Sequence, residues 1–190
     1  MRPHGFSAAL LVLALVAAGC AGTGRPDIEA ARSFDDHPLY WIGESFEGWD
    51  LKNVAVGTGP AAGFTYGTCE SSGVNGGCAA PLQIQIQPLC AYLGTVAATP
   101  IWKRCKIRGA PVGTIDNAPV MFTNRVQIKV YRGQGSDAGL ALRALRALRS
   151  VNSVPPVVDL GDPIPPAPRG VLTGAQPCPR AGSSADIGRD

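Results

Sequence analysis

Leu82 to Gln87 reads LQIQIQ, a strict alternation of apolar and amide side chains. With a repeat of two, Leu82, Ile84 and Ile86 fall on one face of a strand and Gln83, Gln85 and Gln87 on the other. A strand with one dry and one wet face belongs to an antiparallel sheet, because parallel strands are covered on both sides. Val126 to Arg132, VQIKVYR, repeats the pattern: Val126, Ile128 and Val130 alternate with Gln127, Lys129 and Tyr131. The Gln row has two readings, a binding surface or a solvated sheet face.

The remaining segments fit this sheet. Strands are predicted around Leu39 to Ile42 and Leu51 to Val56, and FTYGTC predicts another, followed by the turn ESSGVNGG. Lys106 to Arg132 reads as a meander of KIR, VGTI, APVMFT and RVQIKVYR, separated by turns at Gly109, Asp116-Asn117 and Asn124. A helix is predicted from Asp137 to Ser150, capped by Ser136 or Asp137. On its wheel Leu140, Ala141, Ala144, Leu145, Leu148 and Val151 share one side. Arg143, Arg146 and Arg149 share the other, a solvated face or a grip on anionic lipid. The fold expected is α+β: an antiparallel sheet of about five or six strands, with one amphipathic helix packed on one face and an extended Pro-rich C-terminal tail. Eight prolines between Pro155 and Pro179 bar that tail from helix or central strand. Val157, Val158, Leu160, Ile164, Val171 and Leu172 are too apolar for a free linker, so the tail is expected to wrap the domain.

The N-terminus has the three parts of a secretory signal. Arg2 supplies the basic start, Phe6 to Val16 is apolar apart from Ser7, and Ala17, Ala18 and Gly19 are small. The apolar run is about 15 residues, short of the roughly 20 that cross a bilayer. LVAAGC, ending on Cys20, resembles the bacterial lipobox. That resemblance implies transfer of a diacylglyceryl group to the Cys20 thiol, cleavage before Cys20 and acylation of its new amine, with palmitate-like chains. Two or more chains anchor stably, at ~0.8 kcal/mol per buried methylene. The division expected is therefore a signal peptide over 1–19, a lipidated Cys20 and flexible stalk over 20–36, an α+β domain over 37–152 and the tail over 153–190. A short helix is expected around Ile28 to Arg32.

The full chain has 17 Lys and Arg against 14 Asp and Glu. Losing Arg2 with the signal leaves a charge of about +2, which is no nucleic-acid footprint. Charged residues make up only 16%, against 24 Gly and 17 Pro. That balance suits a loop-rich β domain.

Five cysteines remain besides Cys20. Outside the cytoplasm disulfides are the default, and the spacing holds no CxxC for zinc. Cys69 and Cys78 flank the glycine-rich turn, and a disulfide across that hairpin is expected. Cys90 has two candidate partners. Cys105 is nearer in sequence. Cys178 would clip down a tail that proline leaves short of hydrogen bonds, and Cys90–Cys178 is preferred. Cys105 then becomes a free thiol, expected to be buried because it shares its alternation with Ile107.

No catalytic motif stands out. His37 is the sole histidine after the signal, Ser45 lacks the glycine of a nucleophile elbow, and GTGPAAG is one residue too long for a dinucleotide loop. No metal site or cofactor is expected. Trp41 and Trp49 with Glu44 and Glu47 form an aromatic and acidic segment with two readings, a carbohydrate platform or large rings plugging the edge of a core.

The pattern YGTC…GGC…PLQIQ…C, then RGAPV, a strand, an alanine- and leucine-rich helix, a Pro-rich tail and a late cysteine resembles a group of uncharacterised membrane lipoproteins of actinobacterial type. The resemblance implies that the late cysteine pairs with the one after LQIQ, and it implies no activity. The function expected is a non-catalytic, membrane-anchored envelope lipoprotein, a monomer on the extracytoplasmic face of the cell membrane. It acts as a binding or accessory module for an envelope protein or glycan, with no nucleic-acid partner. The alternatives are an exported hydrolase of glycan or ester substrates and a lipid-carrying envelope factor.

Overall fold

The computed structural model of the chain describes residues 26–57, 61–68, 70–71, 78–91, 105–133 and 136–173. Cys20, Cys69, Cys178 and the side chain of Cys78 lie outside these, so the lipidation and both disulfide pairings do too.

A short helix, α1 (Ile28–Ser33), opens the chain, and Asp27 caps it through Oδ1 to the amide of Ala30 at 3.0 Å. The strands before the second helix are β1 (Tyr40–Trp41), β2 (Ser45–Phe46), β3 (Trp49–Ala55), β4 (Ala62–Tyr66), β5 (Glu70–Ser71), β6 (Cys78–Ala79), β7 (Leu82–Pro88), β8 (Lys106–Ile107), β9 (Ala110–Ile115), β10 (Ala118–Phe122) and β11 (Val126–Arg132). Helix α2 (Leu140–Arg146) and β12 (Arg149–Ser150) follow. Eight strands make one sheet in the order β2-β3-β4-β7-β11-β10-β9-β8, with every neighbouring pair antiparallel. β1 pairs with β12, and β5 with β6, as separate two-stranded ladders.

The α+β class stands, with more strands than the five or six expected. The additional member, β2, is two residues long and sits at a sheet edge, too short to show a period, while β8 at the other edge covers the first two residues of the predicted KIR. The helix is shorter than the predicted Asp137 to Ser150. Its N-cap is Gly139 with no side-chain cap, and Asp137 instead accepts from the Gly139 amide at 3.1 Å. It stops at Ala147 because Arg149 and Ser150 are drawn out to pair with Trp41 and Tyr40. The stalk boundary moves as well: Ala31 of α1 is fully buried, so the chain from Pro26 onward is already part of the folded domain.

The main core lies on one face of the sheet. Leu82, Ile84 and Ile86 of β7, Ile128 and Val130 of β11, and Phe64 and Tyr66 of β4 meet Leu140, Ala141, Ala144 and Leu145 of α2 there, all close to zero exposure. Each large apolar side chain buried this way contributes ~1.5–3 kcal/mol. Gly67 must be glycine: its φ is +76°, and a Cβ would come within 2.7 Å of Pro81.

The described part of the tail, up to Thr173, packs against the domain. The Ser150 amide donates to Val158 O at 2.7 Å, and the Ile164 amide donates to Arg108 O at 2.7 Å. Farther on, the amide of Asn124 donates to Pro165 O, and that of Ala167 to Phe122 O. Val158 and Ile164 belong to the main core, whereas Val171 packs with Leu89, Ile115, Val120 and Phe122 in a second cluster. Val120 and Phe122 lie opposite Lys129 and Gln127 in the ladder, so this cluster is on the other sheet face. The tail thus passes round one end of the strands from face to face. Arg108, in the turn between β8 and β9, fastens it: its guanidinium donates to the carbonyls of Asp159 and Asp162, both at 2.5 Å, and to that of Leu148 behind α2.

Candidate functional site

The face of the sheet opposite α2 carries the polar halves of the two alternating strands. The antiparallel register sets Gln127 opposite Gln87, Lys129 opposite Gln85 and Tyr131 opposite Gln83. Directly opposed residues hold their Cβ atoms about 5 Å apart, so these side chains meet across the strands. The tight turn at Asp116 and Asn117, with φ of +50° and +61°, brings Asp116 up beside them. The result is an open groove of about 340 Å³ lined by Gln85, Gln87, Gln127, Lys129, Tyr131 and the pair Ile115–Asp116. That is at the lower end of the ~300–1,000 Å³ range of small-molecule sites.

The groove is wired internally. Gln127 Nε2 donates to Gln87 Oε1 at 3.0 Å, and the Tyr131 hydroxyl donates to Gln85 Oε1 at 3.2 Å. Lys129 Nζ meets Asp116 Oδ2 at 2.9 Å and lies 4.8 Å from the centre of the Tyr131 ring. Burial pulls the Lys129 ammonium down, but its hydrogen bonds to Asp116 and Tyr131 outweigh that and hold it above the usual lysine range. Lys129 is therefore a fixed, compensated cation at neutral pH. Gln127 is 5% exposed, and its Oε1 receives no hydrogen bond among the described residues. A buried acceptor left unmade costs about 1–3 kcal/mol.

The aromatic and acidic segment lies elsewhere, and none of its four candidate residues lines the groove. Trp41 is 7% exposed in the core, its ring 6.4 Å from that of Phe64, with the Arg149 guanidinium 5.6 Å from its centre. Trp49 is half-buried against the same core, and Glu44 is exposed. Glu47 is taken up by Arg143, which donates from Nε at 2.6 Å and from Nη2 at 2.8 Å. That guanidinium also binds Asp137, so the arginine row on α2 is not a uniform cationic stripe. His37 is buried beside Asn152, whose Nδ2 donates to His37 O at 2.9 Å and to Phe34 O at 2.8 Å.

Among the cysteines, Cys105 is free but exposed, which corrects the expectation of a buried thiol. It precedes β8 instead of continuing the alternation of Ile107, and β8 is an edge strand. Cys90 is disulfide-bonded, and since Cys105 is free the sequence-adjacent partner is excluded. The β5–β6 ladder sets Cys78 opposite Ser71.

The Gln row was visible in the sequence. Its partner row was visible too. What sequence reading missed was that the two rows face one another and that Gln127 is buried while Gln83 is exposed.

No protein-family model matches the chain, and neither does any curated protein or solved structure. Among the described residues no helix is long and apolar enough to cross a membrane.

Proposed function

We propose that this chain is a membrane-anchored envelope lipoprotein of the actinobacterial-type group it resembles, acting as a non-catalytic binding module on the extracytoplasmic face. The groove over β7 and β11 is where it binds. The observation that carries this reading is the Gln127 carboxamide, buried in the floor of a polar groove with its oxygen unpartnered. Buried side-chain acceptors are as a rule hydrogen-bonded, so one with no partner among the described residues marks a place where a further polar group fits. The lipobox-like LVAAGC supports the anchor, and Cys90–Cys178 remains the disulfide proposed to clip the tail.

The test is site-specific photo-crosslinking in intact cells. A photoreactive residue replaces Gln85 in the full chain, or Lys52 on the exposed surface of β3 as a control. A discrete adduct from position 85 and none from position 52 is expected, in a membrane fraction where mass spectrometry finds Cys20 acylated. Equal labelling from both positions, or an unmodified Cys20, would overturn the reading.

A further inference from the structure

We infer that the groove takes a ligand bearing an acetamido group, of the kind an N-acetylated amino sugar presents. The inference rests on the groove being the binding site and goes further by naming what it reads.

The hydrogen-bonding inventory leads there. Gln85 Oε1 is already occupied by the Tyr131 hydroxyl, and Gln87 Oε1 by Gln127 Nε2. Both β7 carboxamides therefore have their amino groups left to give. Gln127 is the reverse: its amino group is engaged and its oxygen is not. The terminal torsion of a glutamine is broad and soft, so a turn of the carboxamide plane brings that oxygen to the groove, giving up the hydrogen bond to Gln87 as it does so. What is then on offer is an acceptor on β11 and the freed carboxamide of Gln87 with the Gln85 amino group on β7, carried by neighbouring strands in register. A secondary amide matches this, because its N–H and C=O leave from opposite edges of one plane and reach two side chains at once. A hydroxyl concentrates both roles on a single atom.

The rest of the lining agrees. Ile115 supplies one apolar wall, and an acetamido group ends in one methyl. Lys129 is matched by Asp116 at 2.9 Å, so the groove has no uncompensated charge to draw an ionic ligand. An extended peptide also carries amides, but it docks by pairing its backbone with a free sheet edge. Here β7 is flanked by β4 and β11, and β11 by β7 and β10, so the groove floor has no backbone to offer. The edge strands β2 and β8 are two residues long, and the edge of β9 that β8 leaves uncovered ends at Ile115, in the wall of the groove and not its floor. The floor thus favours a sugar's acetamido group over a peptide paired as a strand.

The experiment uses the full chain in detergent micelles. Its glutamine side-chain amide signals are followed by NMR during titration with a β-1,4-linked trimer of N-acetylglucosamine, with the matching glucose trimer, and with a doubly capped alanine as a bare peptide amide. The N-acetylated trimer is expected to bind at least about tenfold more tightly than the glucose trimer, the equivalent of ~1.4 kcal/mol, and to shift the Gln127 and Gln87 signals. In the near-isosteric Gln127→Leu the preference should disappear. Circular dichroism establishes that this variant is folded, and the wild-type signals decide the matter without it if it is not. Equal binding of the two trimers would show that the groove does not read the acetamido group. Tighter binding of the capped alanine would make it a peptide site. No binding by any probe would also overturn the inference, while a groove-specific adduct from position 85 in cells would still leave the binding module standing.

Discussion

Two tyrosines in the core have opposite fortunes. Tyr66 Oη donates to Gly43 O at 3.1 Å and accepts from the Ile42 amide at 3.4 Å. Tyr40 is equally buried, and its Oη has no partner among the described residues. Burial pushes the Tyr40 phenol up to about 12, and that of Tyr66 also far above the usual range. Tyr66→Phe should cost about 1–2 kcal/mol by orphaning two backbone groups. At roughly 2–4 °C per kcal/mol, its melting temperature falls measurably. Tyr40→Phe removes an unmade donor and should leave the melting temperature unchanged or higher. Thermal unfolding of the two variants side by side checks this, and a larger loss for Tyr40→Phe would contradict it. Residues of this kind are where sequence reading runs out. That Trp41 is large and apolar was legible. That Tyr40 lacks a hydroxyl partner, or that Gln127 is buried while Gln83 is exposed, depends on what sits across the strand.

At the scale of elements, face periodicity was readable because it is local. β10 and β11 fall within their predicted segments for that reason, while β7 runs one residue further, to Pro88, and β9 takes in Ala110 and Pro111, which were expected to form a turn. Pairing was not, because Gln87 and Gln127 are forty positions apart in the chain and nothing within either strand specifies their register. The helix shows the same limit: Leu148 continues the apolar wheel and is fully buried, yet it lies outside α2, because pairing with β1 overrides local propensity. The β2–β3 hairpin is joined to α2 by Glu47, at φ +47°, reaching Arg143. The hydrogen bond from Arg143 holds the Glu47 carboxyl below its ordinary value of 4.5. A depressed carboxylate contributes stability that is present above its unfolded pKa and is lost as the pH falls through the folded one. Glu47→Gln should therefore be less stable than wild type near neutrality, and the two should converge as the pH drops below about 4.5 and through the depressed value. Urea titrations of both proteins from pH 7 to pH 2.5 measure it. A gap that persists unchanged in acid would mean that the pair contributes nothing through its charge.

For the molecule as a whole, the tail is structural. It places Val158 and Ile164 in the main core and Val171 in the second cluster. Truncation after Ser153 removes all three, together with the carbonyls of Asp159 and Asp162 that Arg108 holds. At ~1.5–3 kcal/mol for each buried apolar side chain, the loss is on the order of 5 kcal/mol. A large fraction of a domain's ~5–15 kcal/mol goes with it. The truncated chain should unfold at markedly lower urea concentration, and it should bind a hydrophobic dye through the bared Val120 and Phe122. Unchanged denaturation would reduce the tail to an ornament. Proline content and apolar side chains told of a wrapping segment from sequence alone. Its path round the strand ends did not show there, since it depends on Arg108 finding carbonyls some fifty residues later.

The pairing of Tyr40 and Trp41 with Arg149 and Ser150 has a further consequence. A chain is made from its N-terminus, and domains fold as units once their parts are present. β1 emerges early and has no ladder partner until β12 has been made. The segment that closes both faces comes later still. The sheet itself is incomplete until β11, Val126–Arg132, has been made to pair with β7, and the tail residues Val158, Ile164 and Val171 that cover its two faces come after that. If such a chain crosses a membrane, it has good reason to cross unfolded, because nothing before Ser150 can lock it shut.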